Sequence, residues 1–257
     1  MIPIKQESVT SLLIKMYFND IELSSGTAFL VESPSGPILL TNRHNVTGRH
    51  NVTDECLSRT GAIPNRIDIY HHQKDMLGAT VTKSQNLYFD EDMQMSVWYE
   101  HPTFGPKVDF VALKLTDLEG VDIYTYSVGG SDDTDIRIGV TDIISVIGFP
   151  FGLSVGGPTA IWATGFVASE PGIDHDGLPL FLIDCRTRQG QSGSAVIAYR
   201  DGGPYMLNNG TMKVLGEPVR KFLGIYSGRI NAQSDLGLVW KASAIKELID
   251  SLQYVNN

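Results

Sequence analysis

A dozen short runs rich in β-branched and aromatic residues, each closed by Gly, Pro, Asn or Asp, constrain this chain more than any other feature. They fall at 9–18, 27–32, 37–41, 66–71, 96–101, 108–115, 142–148, 159–167, 180–185, 195–199, 222–226 and 236–240. Only 242–252 carries helical spacing, where Ala244, Ile245, Leu248, Ile249 and Leu252 form one apolar stripe. So many short strands and a single helix predict an all-β chain of two packed barrels rather than an α/β fold. The polar, turn-rich run that starts at Gly129 sets the division between 118 and 135. The two expected units are 1–125 and 126–257, with 200–212 an exposed loop.

Charge narrows the partners. Lys plus Arg number 20 against 29 Asp plus Glu, a net −9, and no basic cluster stands out. Nucleic-acid binding and anionic-membrane binding are therefore not expected. The N-terminus shows no basic run followed by an apolar stretch, and no segment approaches the ~20 apolar residues of a membrane span. The sequence thus predicts a cytoplasmic protein without membrane association. Two cysteines, Cys56 and Cys185, are too few for a disulfide framework and are expected to be reduced thiols. Cys/His spacings do not suggest zinc, so no metal or organic cofactor is expected.

Chemistry concentrates in Gln189-Gly190-Gln191-Ser192-Gly193-Ser194-Ala195. Glycines two before and one after a serine make a turn that holds the side chain out as a nucleophile, with the N–H groups of Gly190 and Ser192 free to stabilise an oxyanion. Taken alone, the same run would also serve as a Gly/Ser loop closing a hairpin. A base is needed, and of six histidines His44 follows an apolar strand directly, in Thr41-Asn-Arg-His44. His50, His71, His72, His101 and His175 read as surface or structural residues. An orienting acid is offered by Asp109, at the start of the apolar run Val108-Asp109-Phe-Val-Ala-Leu-Lys-Leu115. A carboxylate there is costly unless paired, and a histidine N–H is a suitable partner. Asp109 taken alone would equally cap a turn at the strand entrance.

These three segments, in the order His, Asp, Ser, resemble the trypsin-like serine peptidases of chymotrypsin fold, and most closely their HtrA-type branch. Gly26-Thr-Ala-Phe-Leu-Val before the histidine, Val146-Ile-Gly-Phe-Pro-Phe-Gly, Gly224-Ile-Tyr-Ser-Gly228 and Gly237-Leu-Val-Trp240 before the helix extend the resemblance from Gly26 to the C-terminus. The resemblance implies two six-stranded antiparallel β-barrels with the active site between them. It implies Ser192 as nucleophile, His44 as general base then acid, Asp109 as orienting acid, and Gly190 with Ser192 as oxyanion hole. Tyr226, Ser227 and Gly228 would form the edge that pairs with an extended peptide. The implied activity is endopeptidase cleavage of protein or peptide substrates through an acyl-enzyme. A non-enzymatic peptide-binding pseudoprotease and a serine esterase are the alternatives.

Two departures carry mechanism. Gln191 stands where digestive relatives carry an aspartate that pairs with a newly cut N-terminus, so activation by N-terminal insertion is not expected. The chain stops after the helix, at Asn257, so no PDZ domain is expected, and regulation is left to loops, oligomer contacts or an unidentified partner chain. By the same resemblance Arg186 and Thr187 line the primary specificity pocket, a forked cation beside a hydroxyl that suits an acidic side chain.

Overall fold

The computed structural model describes residues 4–76, 78–129, 135–231 and 233–252. Nine strands form the first sheet: β1 Ser11–Phe18, β2 Ile21–Val31, β3 Ile38–Thr41, β4 Arg66–Gln73, β5 Thr80–Asn86, β6 Trp98–Tyr99, β7 Val111–Lys114, β8 Val121–Asp122 and β9 Thr125–Tyr126. Their order is β5-β4-β1-β2-β3-β7-β6, with β8 on β4 and β9 parallel to β2. The sheet curls, but its two ends meet only at an isolated Tyr88–Ser96 bridge, where the Val97 N–H donates to Leu87 O at 3.0 Å. The first of the two expected barrels is thus a curled half-barrel. Between those ends the Asp90 carboxylate accepts the Gln94 and Met95 N–H groups (2.8 and 2.7 Å), which commits the chain to a turn where a ladder would be needed.

The second half holds β10 Ile143–Gly148, β11 Ile161–Val167, β12 Leu180–Asp184, β13 Ala195–Arg200, β14 Gly203–Met206, β15 Met212–Leu215, β16 Val219–Arg229 and β17 Leu236–Lys241. Here the expected barrel closes, in the order β10-β11-β12-β17-β16-β13. The expected loop at 200–212 is corrected in part: β14 and β15 pair as a small hairpin outside the barrel. Among the described residues are three α-helices, α1 Glu7–Thr10, α2 Arg43–Thr47 and the expected C-terminal helix, α3 Ala242–Ser251, and a short 3-10 helix at Pro150–Gly152.

The largest apolar core is the seam between the halves. Phe29, Leu40, Phe110 and Tyr126 from the first sheet meet Phe149, Phe222 and Trp240 from the second, and α3 adds Ile245 and Leu248. Ring contacts lock this seam, Phe29 edge-on to Phe222 at 5.5 Å and Tyr126 stacked on Phe222 at 5.4 Å. Each such side chain stabilises by about 1.5–3 kcal/mol on burial, so the halves are held face to face rather than hinged. Hydrogen bonds add a strap at the chain start. Buried Glu7 pairs with Arg220 at 2.9 Å, Trp162 Nε1 donates to Ser8 Oγ at 2.9 Å, and Ala160 N–H donates to Ser8 O at 2.8 Å. Residues 9 and 10, expected at the head of the first strand, instead finish α1.

Both cysteines are free thiols. Cys185 is buried, and burial pushes its thiol up to about 11.

Candidate active site

The β3–β7 ladder ends at Thr41 opposite Val111, which sets the chain leaving β3 beside the chain entering β7. There Asn42 Nδ2 donates to Asp109 O at 2.6 Å, and the chain turns into α2 with His44 in its first turn. Asp109, only 4% exposed, is surrounded by donors. The His44 backbone N–H reaches Oδ1 at 2.9 Å, His44 Nδ1 reaches Oδ2 at 2.7 Å, and Ser227 Oγ donates to the same Oδ2. Three donors offset the desolvation of the buried carboxylate. With Nδ1 facing an acceptor-only group, the proton sits there and Nε2 keeps a lone pair. Burial alone would lower the His44 pKa, but the Asp109 charge and its hydrogen bond outweigh burial and raise it above the ordinary 6.5.

The Ser192 turn is possible because two of its glycines take positive φ, Gly190 at +92° and Gly193 at +89°. A Cβ on Gly190 would lie 2.4 Å from Phe149 O, and one on Gly193 2.0 Å from Thr27 O, so side chains are excluded on both counts. The first sheet then stitches the turn down. The Thr27 N–H donates to Ser192 O at 2.9 Å, its hydroxyl to Gly190 O at 2.8 Å, and Asn45 Nδ2 to Ser192 O at 3.2 Å. Inside the loop, buried Gln191 accepts the Arg188 N–H on Oε1 at 2.8 Å and returns its own N–H to Arg188 O at 3.1 Å. That clasp holds the loop without an N-terminal ion pair. The N–H groups of Gly190 and Ser192 donate to no described residue. Ser192 Oγ donates to Ser227 O at 3.2 Å, not to the His44 ring.

His44 and Ser192 together border two adjoining pockets. One, of about 460 Å³, is walled by apolar side chains of both halves; the other, of about 290 Å³, lies toward Ser24, Ser58 and Gln189. Among the described residues no group of three or more His, Cys, Asp or Glu side chains could hold a metal ion. No helix of the described residues is long and apolar enough to cross a membrane.

The expected specificity residues sit elsewhere than a pocket base. Arg186 has 84% of its side chain exposed and leans toward Asp235 at 3.7 Å, because the loop around it points outward from the barrel end. Thr187 is fully buried and its hydroxyl is spent on the Tyr226 phenol. Tyr226 is likewise no edge residue. Its N–H donates to Ser194 O at 2.8 Å, its carbonyl accepts the Gly193 N–H at 2.9 Å, and its ring packs in the interior of the second barrel. Burial pushes that phenol up to about 12 against the opposing hydrogen bond from Thr187. The ladder between β13 and β16 stops at Ala195 opposite Ile225, so Ser227, Gly228 and Arg229 have no described strand on the cleft side.

A family model described as a trypsin-like peptidase domain matches residues 26–203. The chain belongs to the trypsin-like peptidase family. Family and fold together make it a trypsin-like serine peptidase, as the three motifs imply. Two solved structures share the fold. A serine endoprotease from Yersinia pestis aligns at TM-score 0.55 and 14% identity, over 98% of this chain and 68% of that one. A thermostable serine protease from an extremophilic microorganism aligns at 0.54 and 12%, over 96% and 98% of the two chains. Comparison with curated proteins finds no match.

Sequence reasoning missed how Thr27, Asn42 and Asn45 support this trypsin-like site, and it read Ser227 only as a substrate edge. Their signal is faint. Each is a small polar residue inside or beside a strand that packs at 0–9% exposure, where an unpaired hydroxyl or amide would be costly.

Proposed function

We propose that this peptidase cleaves internal peptide bonds through an acyl-enzyme on Ser192, with His44 as base and then acid and Asp109 as its orienting group. The observation that carries the reading is the Asp109–His44 pair, 2.7 Å apart, which borders the 460 Å³ pocket together with Ser192. An extended substrate lies along the open edge of 227–229 and receives main-chain hydrogen bonds there. As it enters, the Ser192 hydroxyl turns from Ser227 O to His44 Nε2. His44 takes the proton while Oγ bonds to the substrate carbonyl carbon, and the imidazolium is stabilised by Asp109. The N–H groups of Gly190 and Ser192 receive the oxyanion. Collapse breaks the C–N bond and returns the proton to the leaving amine. Water, deprotonated by His44, then releases the acyl group.

A fluorophosphonate probe followed by peptide mapping tests this directly. Labelling is expected on Ser192 and is lost in Ser192→Ala, and the wild type is expected to cut unstructured protein substrates internally. A folded wild type that neither labels nor cuts would make the chain a peptide-binding module. Turnover of esters with no cleavage of peptides would make it an esterase.

A further inference from the structure

The 460 Å³ pocket beside Ser192 holds groups that the proposed chemistry does not use. Its walls are apolar, with Val52 and Leu57 from the loop after α2, Leu178 and Leu180 from the start of β12, and Leu238 and Trp240 from β17. Trp240 is 4% exposed, and its indole Nε1–H, buried in this wall, has no hydrogen-bond partner among the described residues. A buried donor left open costs free energy unless something that visits the site accepts from it.

Two cations border the same pocket from opposite halves, Lys107 just before β7 and Arg229 at the end of the open β16 edge. Neither forms an ion pair with a described carboxylate. Of the pocket's own acids, Asp109 is committed to His44 and Ser227, and Asp176 is an exposed carboxylate 3.5 Å from the His175 ring. In a chain of net charge −9, two cations without an ion-pair partner among the described residues flank one apolar pocket that also holds an orphaned donor. The combination matches a ligand group with a hydrocarbon stem and an anionic, acceptor-rich tip.

We infer that this pocket receives a glutamate side chain of the substrate, upstream of the bond to be cut, with its carboxylate held between Lys107 and Arg229. The inference rests on the peptide-cleft reading above and moves acid recognition away from Arg186 and Thr187. Arg229 offers the carboxylate a fork of two N–H donors; Lys107 adds a point charge across the pocket. Arg229 is also the residue next to Gly228 on the open edge, so a peptide paired there presents its side chains to this pocket.

The test is binding, which needs no turnover. Ser192→Ala protein is titrated with fluorescent alanine-based hexapeptides ending in a free carboxylate, each with one Glu, and with a matched set carrying Gln at the same position. At one position or two, Glu is expected to bind roughly tenfold tighter than Gln, the size of a charge-assisted hydrogen bond discounted for exposure. Adding Lys107→Gln and Arg229→Gln is expected to bring that ratio below twofold. Trp240→Phe, which keeps the ring and removes the donor, is expected to lower it in part. Equal binding of the two sets, a ratio that survives the double variant, or no binding by any peptide overturns the inference. Fluorophosphonate labelling of the wild type is read separately. A reactive Ser192 with no Glu preference would therefore refute the pocket alone.

Discussion

Ser227 donates its hydroxyl to Asp109 Oδ2, the same oxygen that receives the His44 ring, while its carbonyl accepts from Ser192 Oγ. One residue of β16 thus touches both ends of the proposed catalytic set. Ser227→Ala removes the side-chain contact and leaves the carbonyl. Loss of a hydrogen bond to a charged group costs about 1.5–3 kcal/mol, so kcat is expected to fall roughly 10- to 100-fold. KM should stay within about twofold, and the melting temperature should show whether the fold is intact. A variant with wild-type kcat would mean that Asp109 needs only His44.

The His44 pKa is raised by Asp109, and the reaction needs the ring unprotonated. Activity should therefore climb with pH through a midpoint above 6.5, the ordinary histidine value. Asp109→Asn removes the charge and leaves burial, so the midpoint should move down while kcat drops on the order of 10⁴-fold from the wrong tautomer. The pH profile of kcat/KM for both proteins checks the direction. An unmoved midpoint would place the perturbing charge elsewhere.

Gln191 clasps Arg188 with its side-chain amide just before Ser192. Replacing it with Ala strips the Arg188 N–H of its buried acceptor and loosens the loop that carries Gly190 and Ser192. The acylation rate in single turnover is expected to fall roughly 10- to 100-fold, as expected for one buried hydrogen bond. Fluorophosphonate labelling should slow in proportion, because the probe uses the same N–H groups. A fall in melting temperature without slower labelling would make Gln191 a packing residue only.

His71 is buried in β4 with neither ring nitrogen hydrogen-bonded, and burial lowers its pKa to about 4, with His72 and Lys83 pushing the same way and Asp117 opposing. Below 6.5 the unfolded chain takes up a proton that the folded chain refuses. Stability is then lost as pH falls from about 6.5 to about 4, on the order of 3 kcal/mol from this group. Neighbouring His72, also lowered, adds in the same direction. Denaturant melts across that range should show the slope in the wild type and a flatter one in His71→Phe. Equal slopes would assign the acid sensitivity to other groups.

What the sequence made legible was whatever repeats at short range. Strands with an apolar face, such as β10 and β17, stand out by composition, and the amphipathic stripe of α3 by its spacing. β5 did not stand out, because the inward face of Thr80–Asn86 carries Val81, Lys83 and Gln85, of which only one is apolar. β14 and β15 pair only with each other, so nothing forces an apolar face on them. The residues of the proposed triad stood out because they break their local pattern: an acid in an apolar strand, or glycines around a serine. Arg186 was misplaced because a side chain's direction at a loop depends on the loop's path, which composition does not encode. Thr27 and Ser227 escaped for a related reason, since their partners lie far away in the chain.

The seam between the halves also fixes when this protein can act. His44 and Asp109 emerge from the ribosome long before Ser192, and Ser227, which joins them, comes later still. Trp240 and α3, which fill the seam, come last, and the strap from Glu7 to Arg220 has nothing to grip until β16 exists. On the proposed mechanism a nascent chain therefore carries the acid and the base without a nucleophile, and cannot cut itself or its neighbours while it is being made.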